Sequence, residues 1–495
     1  MRRIFRYLVF LFLSGGILFV VPPFQGYAVA RSHKSISHSH TKKKYRYRRR
    51  RRVGPRLYSG VPLKILSKKT SPLSPGVTYT EEIVSRNHWR VGIIHADLSA
   101  DSLGLELRKS KGQATGMERV EELVHRIDST TDETVVAAVN ANYWRGGTDD
   151  IMGAAVHNGE VIGFDNLKPW SRLQIFDDGT FGIASDSLSV IAIARGVPPL
   201  VIARVNMRLS DSSIVLYNHY YGATLPLPEP DTSAKNFIAT DSLHNIQYPK
   251  DSAQIKYAQD TSELFYETDE VTPLPDSLCV IPRSEQYTLK CAFTYIDTPF
   301  VNSSLRCRII GFGNSHPVNI PSRGGVLSFP RSDSAIIHRL HTGDTLTIEC
   351  VTDPLTTKPI KEMLMAGPRL VRDGRVSVET EEENFHKRSF IAGSHARTAC
   401  GISEDQKEVI LVTVDRPFGN WRSGRPGIGL GDLARILVRE GAYDAMNFDG
   451  GSSTTLVVNG RTVFPDTGVD FSRHVASAFC ITKPKELSST RTSQK

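Results

Sequence analysis

The sequence predicts an α/β (mixed α+β) protein: one large catalytic domain with a central sheet flanked by helices and a β-rich insertion. Three observations lead there. From about Gly76 onward, strand-like apolar runs alternate with helix-like stripes. Three Asn-Gly or Asp-Gly pairs sit between apolar alternations, the strongest short hairpin pattern. Near the C-terminus, a strand ending in Asp415 is followed by a helical stripe and then by a second strand that ends at Asp449.

In chain order, Val91 to Leu98 reads as a strand. Met117 to Ile127 places Val120, Leu123, Val124 and Ile127 on one helical stripe. Val135 to Val139 is a β-branched strand running into Asn140-Ala141-Asn142-Tyr143-Trp144. The hairpin pairs are Asn158-Gly159, Asp373-Gly374 and Asn459-Gly460. Residues 205–350 hold scattered short strands, many Asp, Ser and Pro, and most of the cysteines, and read as the β-rich insertion. Glu408 to Val414 is an apolar strand, followed by a glycine-punctuated loop at 419–431. Asp432 is the expected N-cap of a helix carrying Leu433, Ile436 and Leu437, and Gly441 is its expected stop. Parallel strands on either side of that helix would deliver Asp415 and Asp449 to the same sheet edge.

The formal charge of +9 divides unevenly. Residues 1–56 hold 15 Lys or Arg and no acid, which leaves 46 basic against 52 acidic residues in the rest. The body is therefore mildly acidic, which argues against a protein built on specific nucleic-acid recognition. Residues 1–30 resemble a signal peptide: Arg2, Arg3 and Arg6, the apolar run Leu8 to Val21, and a small-residue site at Ala28-Val29-Ala30. That run is shorter than a bilayer span, so no transmembrane segment is expected after cleavage, and an exported location (periplasm, cell envelope or secreted) is. Residues 31–75 read as a basic disordered arm and linker. Nine of the eleven residues from Lys42 to Arg52 are basic, and such an arm suits adhesion to an anionic envelope polymer. The catalytic domain is expected over 76–483, with a tail at 484–495. Cys279, Cys291, Cys307 and Cys350 cluster closely enough for one or two disulfides in an exported protein, with pairing undetermined; Cys400 and Cys480 stand apart.

The segment Asn447-Phe448-Asp449-Gly450-Gly451-Ser452-Ser453-Thr454-Thr455 concentrates a carboxylate, an amide and hydroxyls on a glycine-containing turn. A packed core has no use for this polarity. Two strand-end carboxylates, Asp449 and Asp415, suit glycosidic cleavage, one as acid and the other as base or nucleophile. Arg397, beside Thr398, and Arg473 are the candidate anion-holding cations, arginine being the bidentate partner of phosphate. No Cys or His spacing marks a zinc site. A divalent cation near Asp449 is compatible with the composition, although no ligand spacing demonstrates one.

Together these residues resemble the phosphodiester glycosidase family. The features that carry the resemblance run in order: Val139 to Trp144; Asn206 to Tyr217; Ala366-Gly367-Pro368 through Asp373-Gly374; Arg397-Thr398-Ala399-Cys400-Gly401; Val414-Asp415-Arg416; and Asp444 to Thr454 around Asn447-Phe448-Asp449-Gly450-Gly451. Asp415 is followed directly by Arg416 where the family has a glycine, and Ala141 stands where it usually has one. The resemblance implies a hydrolase of a sugar-1-phosphodiester, or of a related glycosidic bond in an envelope glycan. Asp449 and Asp415 would be catalytic and Arg397 and Arg473 would hold the phosphate. Asn140, Asn142, Thr398, Asn447, Gly450, Gly451 and Ser452 would line the substrate. A second reading is a non-catalytic binder of anionic glycans, tethered to the envelope by its basic arm.

Overall fold

Each of the three Asn-Gly or Asp-Gly pairs turns a hairpin in the computed structural model. Asn158, Asp373 and Asn459 all have positive φ, as do the glycines that follow them. These turns join Ala154–His157 to Glu160–Asp165, Arg369–Arg372 to Arg375–Val376, and Leu456–Val458 to Arg461–Thr462. Two consecutive residues with positive φ match the right-handed strand twist, which is why this residue pair selects the turn. The structure describes residues 63–84, 89–100, 103–114, 116–146, 149–165, 169–207, 213–225, 288–313, 318–353, 358–415, 427–463 and 472–485. The leader-like residues 1–30, the basic run, Cys279, residues 416–426 of the glycine loop and most of the tail lie outside them.

The expectation of a central sheet flanked by helices is overturned: the protein is mostly β. Among the described residues, the strands form sheets of eight, twelve, five and two strands. The eight-stranded sheet runs Ile65–Ser74, Val77–Val84, Trp89–Asp97, Glu408–Asp415, Arg397–Ile402, Asp444–Asn447, Arg369–Arg372, Arg375–Val376, and every neighbouring pair is antiparallel. Its first strand falls in what reads from sequence as linker. The five-stranded sheet runs Arg461–Thr462, Leu456–Val458, Glu133–Asn140, Ser477–Pro484, Gly104–Lys109. Strands of the expected insertion, such as Leu289–Tyr295 and Ser304–Gly313, belong to the same twelve-stranded sheet as Glu160–Asp165 and Ile360–Met365.

Two amphipathic helices produced the α/β expectation. Val120–Thr130 buries the four residues of its predicted stripe against Val135, Ala138, Val457, Ala478 and Cys480. Leu430–Arg439 buries Leu433, Ile436 and Leu437 against Val91, Ile93, Ala399, Ile410 and Val412. This second helix starts before its predicted cap. Gly429 is the N-cap, and Asp432 lies buried in the first turn, 3.3 Å from Arg435. Gly441, at φ +97°, follows its end as predicted. Each helix covers one face of one sheet. The remaining sheet faces bury one another, with Ile94, Leu107, Val139, Phe164, Leu173, Ile348, Cys400, Phe448 and Phe479 in one continuous core. Sheet on sheet, rather than helix on sheet, is thus the main packing mode.

Cys291, Cys307, Cys350, Cys400 and Cys480 are all free and buried; of the four cysteines of the 279–350 cluster expected to form one or two disulfides, the three described ones are unbridged. Burial pushes the thiols of Cys291, Cys307 and Cys350 up to about 12, which keeps them as inert core residues. Among the described residues no helix is long and apolar enough to cross a membrane.

Candidate functional site

Strand register assembles the site. Arg397 opens its strand opposite Val414 on one side, while Ala399 pairs with Asn447 on the other. The strands ending at Asp415 and Asn447 are both antiparallel to the one between them, so they run in the same direction. Their ends, with Arg397, therefore emerge at one sheet edge. Asp449 continues this register: the Phe448 amide donates to Thr398 O at 2.8 Å and the Gly451 amide to Ala396 O at 2.8 Å. The row through Val414, Arg397 and Asp449 crosses two strand spacings, roughly 10 Å of backbone. Asp415 pairs with Arg90 and is one residue out of step with Val414, so its side chain belongs to the opposite sheet face from Arg397.

A second sheet reaches this edge from below. Asn140, fully buried at the end of Glu133–Asn140, donates from Nδ2 to Asp449 O at 2.7 Å. Its Oδ1 accepts from Thr398 Oγ1 at 2.7 Å and from the Thr455 amide at 3.1 Å. The Asp449 amide donates to Ala141 O at 3.0 Å. Asn140 and Thr398 therefore tie the five-stranded sheet to the eight-stranded one and fix the backbone of Asp449. Asn142 is also engaged internally, donating to Met365 O at 2.9 Å and accepting from Ser477 Oγ at 2.8 Å.

Asn447 is fully buried and donates to Tyr143 OH at 2.8 Å and to Gly367 O at 3.1 Å; Tyr143 OH donates to the same carbonyl at 2.7 Å. Among the described residues its Oδ1 has no hydrogen-bond partner. Tyr143 is a site residue that the sequence marked only by its place after Asn142. It packs in an aromatic cluster with Trp170, Phe385 and Phe390. Burial, followed by the nearby Asp449 charge, holds its hydroxyl well above the usual phenol range.

Burial pushes the Asp449 carboxyl up to about 6, against the pull of Ser453, Arg473 and the Gly450 amide, which donates to Oδ1 at 2.8 Å. The two arginines differ in their surroundings. Arg397 is 1% exposed; its Nε donates to Ile428 O at 3.3 Å and its Nη2 to Phe390 O at 2.7 Å, with the guanidinium over the Phe390 ring. Arg473 is half-buried and donates from Nη1 to Ser452 Oγ at 2.8 Å, with its guanidinium 4.8 Å from the centre of the Trp144 ring. The Gly450 and Gly451 amides both have internal acceptors, so they act first as scaffold. Among the described residues, no group of three or more His, Cys, Asp or Glu is arranged to hold a metal ion.

Residues 310–482 match the family model for phosphodiester glycosidases. This segment is similar to the phosphodiester glycosidases. The matched segment includes Asp415, Arg397, Asn447, Asp449 and Arg473, whereas Asn140, Asn142, Tyr143 and Trp144 lie outside it. The chain is 29% identical over 146 residues to N-acetylglucosamine-1-phosphodiester alpha-N-acetylglucosaminidase of Bos taurus, and 27% identical over 146 residues to that of Homo sapiens. These alignments cover 26% of this chain in each case, and 26% and 27% of the relatives. The chain thus spans about a quarter of the length of the curated relatives it matches. A protein of Synechocystis has a similar fold: TM-score 0.57, 18% identity, 84% of this chain and 64% of the other. So does one of Burkholderia pseudomallei K96243: TM-score 0.52, 14% identity, 81% of this chain and 74% of the other. At these identities the two structures support the fold alone.

Proposed function

We propose that this protein is an exported hydrolase of a sugar-1-phosphodiester or a related glycosidic bond in an envelope glycan, with Asp449 as its general acid. The observation that carries this reading is the Asp449 carboxyl. It sits on a turn anchored from two sheets, titrates near 6, and lies beside a cation within the family-matched segment. A carboxyl with that acidity keeps a usable protonated fraction near neutral pH, as donation to a leaving oxygen requires.

In the proposed reaction the bond between the anomeric carbon and the phosphate oxygen breaks. Asp449 gives its proton to that oxygen, and water supplies the hydroxyl to the sugar. Asp415 ends at the same edge but its side chain belongs to the opposite sheet face, so it is not the second carboxylate, and the proton of the attacking water passes to solvent. The products are the free sugar and a phosphomonoester. Asn447, Asn140, Asn142 and Thr398, all buried, hold the frame of the turn that carries Asp449. Export rests on the leader-like residues 1–30, and the basic arm would hold the protein to an anionic envelope polymer.

The test is hydrolysis of a panel of sugar-1-phosphodiesters by the parent protein and by Asp449→Asn. Turnover by the parent alone supports the assignment. A folded parent without turnover on any diester would favour the glycan-binding reading, and full activity in the variant would remove Asp449 from the chemistry.

A further inference from the structure

Sequence alone left Arg397 and Arg473 as two candidates for the anion, and their surroundings separate them. Arg397 is buried and holds the carbonyls of Phe390 and Ile428, which ties Arg388–Ala392 to the sheet edge. Arg473 stands at the turn itself. Its guanidinium lies across Trp144, an arrangement that holds an arginine in one plane without using its donors. Among the described residues its hydrogen-bond partner is Ser452 Oγ, three residues beyond Asp449.

The charged and titratable groups around Asp449 come from four elements. Arg473 precedes the strand Ser477–Pro484. Tyr143, its hydroxyl neutral, follows Glu133–Asn140. Arg397 opens the neighbouring strand with its guanidinium on carbonyls, and Asp415 ends the next strand on the opposite sheet face. His474, beside Arg473, is directed to Glu122 at 3.9 Å. His395 is directed to Ser389 O at 3.0 Å.

Building on the proposed diester hydrolase, we propose that Arg473, held on Trp144 and Ser452, is the cation that receives the substrate phosphate, and that its occupation by the phosphate primes Asp449 for proton donation. The reasoning is electrostatic. In the free protein the Arg473 charge favours the ionised form of Asp449. The single negative charge of a bound phosphodiester offsets that of the guanidinium and removes its pull on Asp449, so the carboxyl takes up a proton as the substrate arrives. A neutral glycoside leaves Arg473 uncompensated and gives no such priming. Arg473 thus becomes a specificity-determining group for anionic aglycones.

The experiment follows the Asp449 carboxyl by carbon NMR across pH in the parent, Arg473→Ala and Arg473→Lys, each with and without saturating methyl phosphate. In the parent, the midpoint is expected near 6 and rises when methyl phosphate is added. In Arg473→Ala it starts higher and does not respond, and methyl phosphate binds about 100-fold more weakly. Arg473→Lys keeps the charge and hence the parent midpoint, but loses about tenfold in affinity because a lysine does not stack or bond bidentately. A parent midpoint that methyl phosphate leaves unmoved, or an Arg473→Ala variant that responds like the parent, would overturn the inference. Diester hydrolysis by the parent is scored separately, so a failure of the enzymatic reading is distinguishable from a failure of the Arg473 assignment.

Discussion

Replacing Asp449 by Asn is expected to abolish hydrolysis and, at the same time, to stabilise the fold at neutral pH. The Asp449 carboxyl is raised from an ordinary 3.8 to about 6 in the folded protein, first of all by burial. A raised folded-state value means that folding favours the protonated acid. The associated stability is complete below the unfolded value and is lost as pH rises through about 6. Above that, the fold holds a carboxylate in a place that disfavours it. At about 1.4 kcal/mol per pH unit, the interval from 3.8 to about 6 corresponds to about 3 kcal/mol. Asp449 keeps some contact with water, so the expected cost is on the order of 1–2 kcal/mol. Asparagine is neutral at every pH and retains an oxygen for the Gly450 amide. Thermal unfolding of parent and variant from about pH 3.5 to 8 reads the difference. The variant should melt a few degrees higher at about pH 7.5, with the gap closing below about pH 4. Equal melting temperatures at about pH 7.5, or a gap that persists unchanged at about pH 4, would refute the reasoning.

Asn140→Ala strips the Thr455 amide of its acceptor and frees the Asp449 carbonyl; a loss of about 2–4 kcal/mol is expected in urea unfolding, together with most of the activity. Gly159→Ala is expected to cost more than about 2 kcal/mol, because the glycine has φ +77° and a Cβ there would lie 1.9 Å from Pro299 O; a wild-type denaturation midpoint would contradict the packing at this hairpin. Arg397→Lys should destabilise by about 1–3 kcal/mol through its carbonyl bonds while leaving the affinity for methyl phosphate within about twofold, the reverse of the Arg473 variants. Calorimetric titration alongside thermal melts separates the two arginines.

Local chemistry was legible in the sequence wherever neighbours along the chain settle the outcome. Asn158-Gly159, Asp373-Gly374 and Asn459-Gly460 specify their turns because few other residues accept consecutive positive φ angles. The stripes of both longer helices could be read because each faces a single apolar surface. The polar turn 447–455 stood out because a core would not use it. The sheet architecture was not legible: an apolar strand carries no mark of whether a helix or another sheet will cover its outer face, and here sheets do so most often.

The division within the site follows the same line. Sequence by itself singled out Asp449, Asn447, Asn140, Arg397 and Arg473 as unusual residues, because polarity at strand ends is a local property. Only the tertiary structure decided what each one touches. Asn140 became a tie between two sheets through partners more than 250 residues away. Arg397 was drawn inside to hold carbonyls, and Arg473 was left on Trp144 beside the acid. Hydrogen-bond partners and burial come from strand register between distant segments, and register is set by the whole packed sheet rather than by any window of the chain.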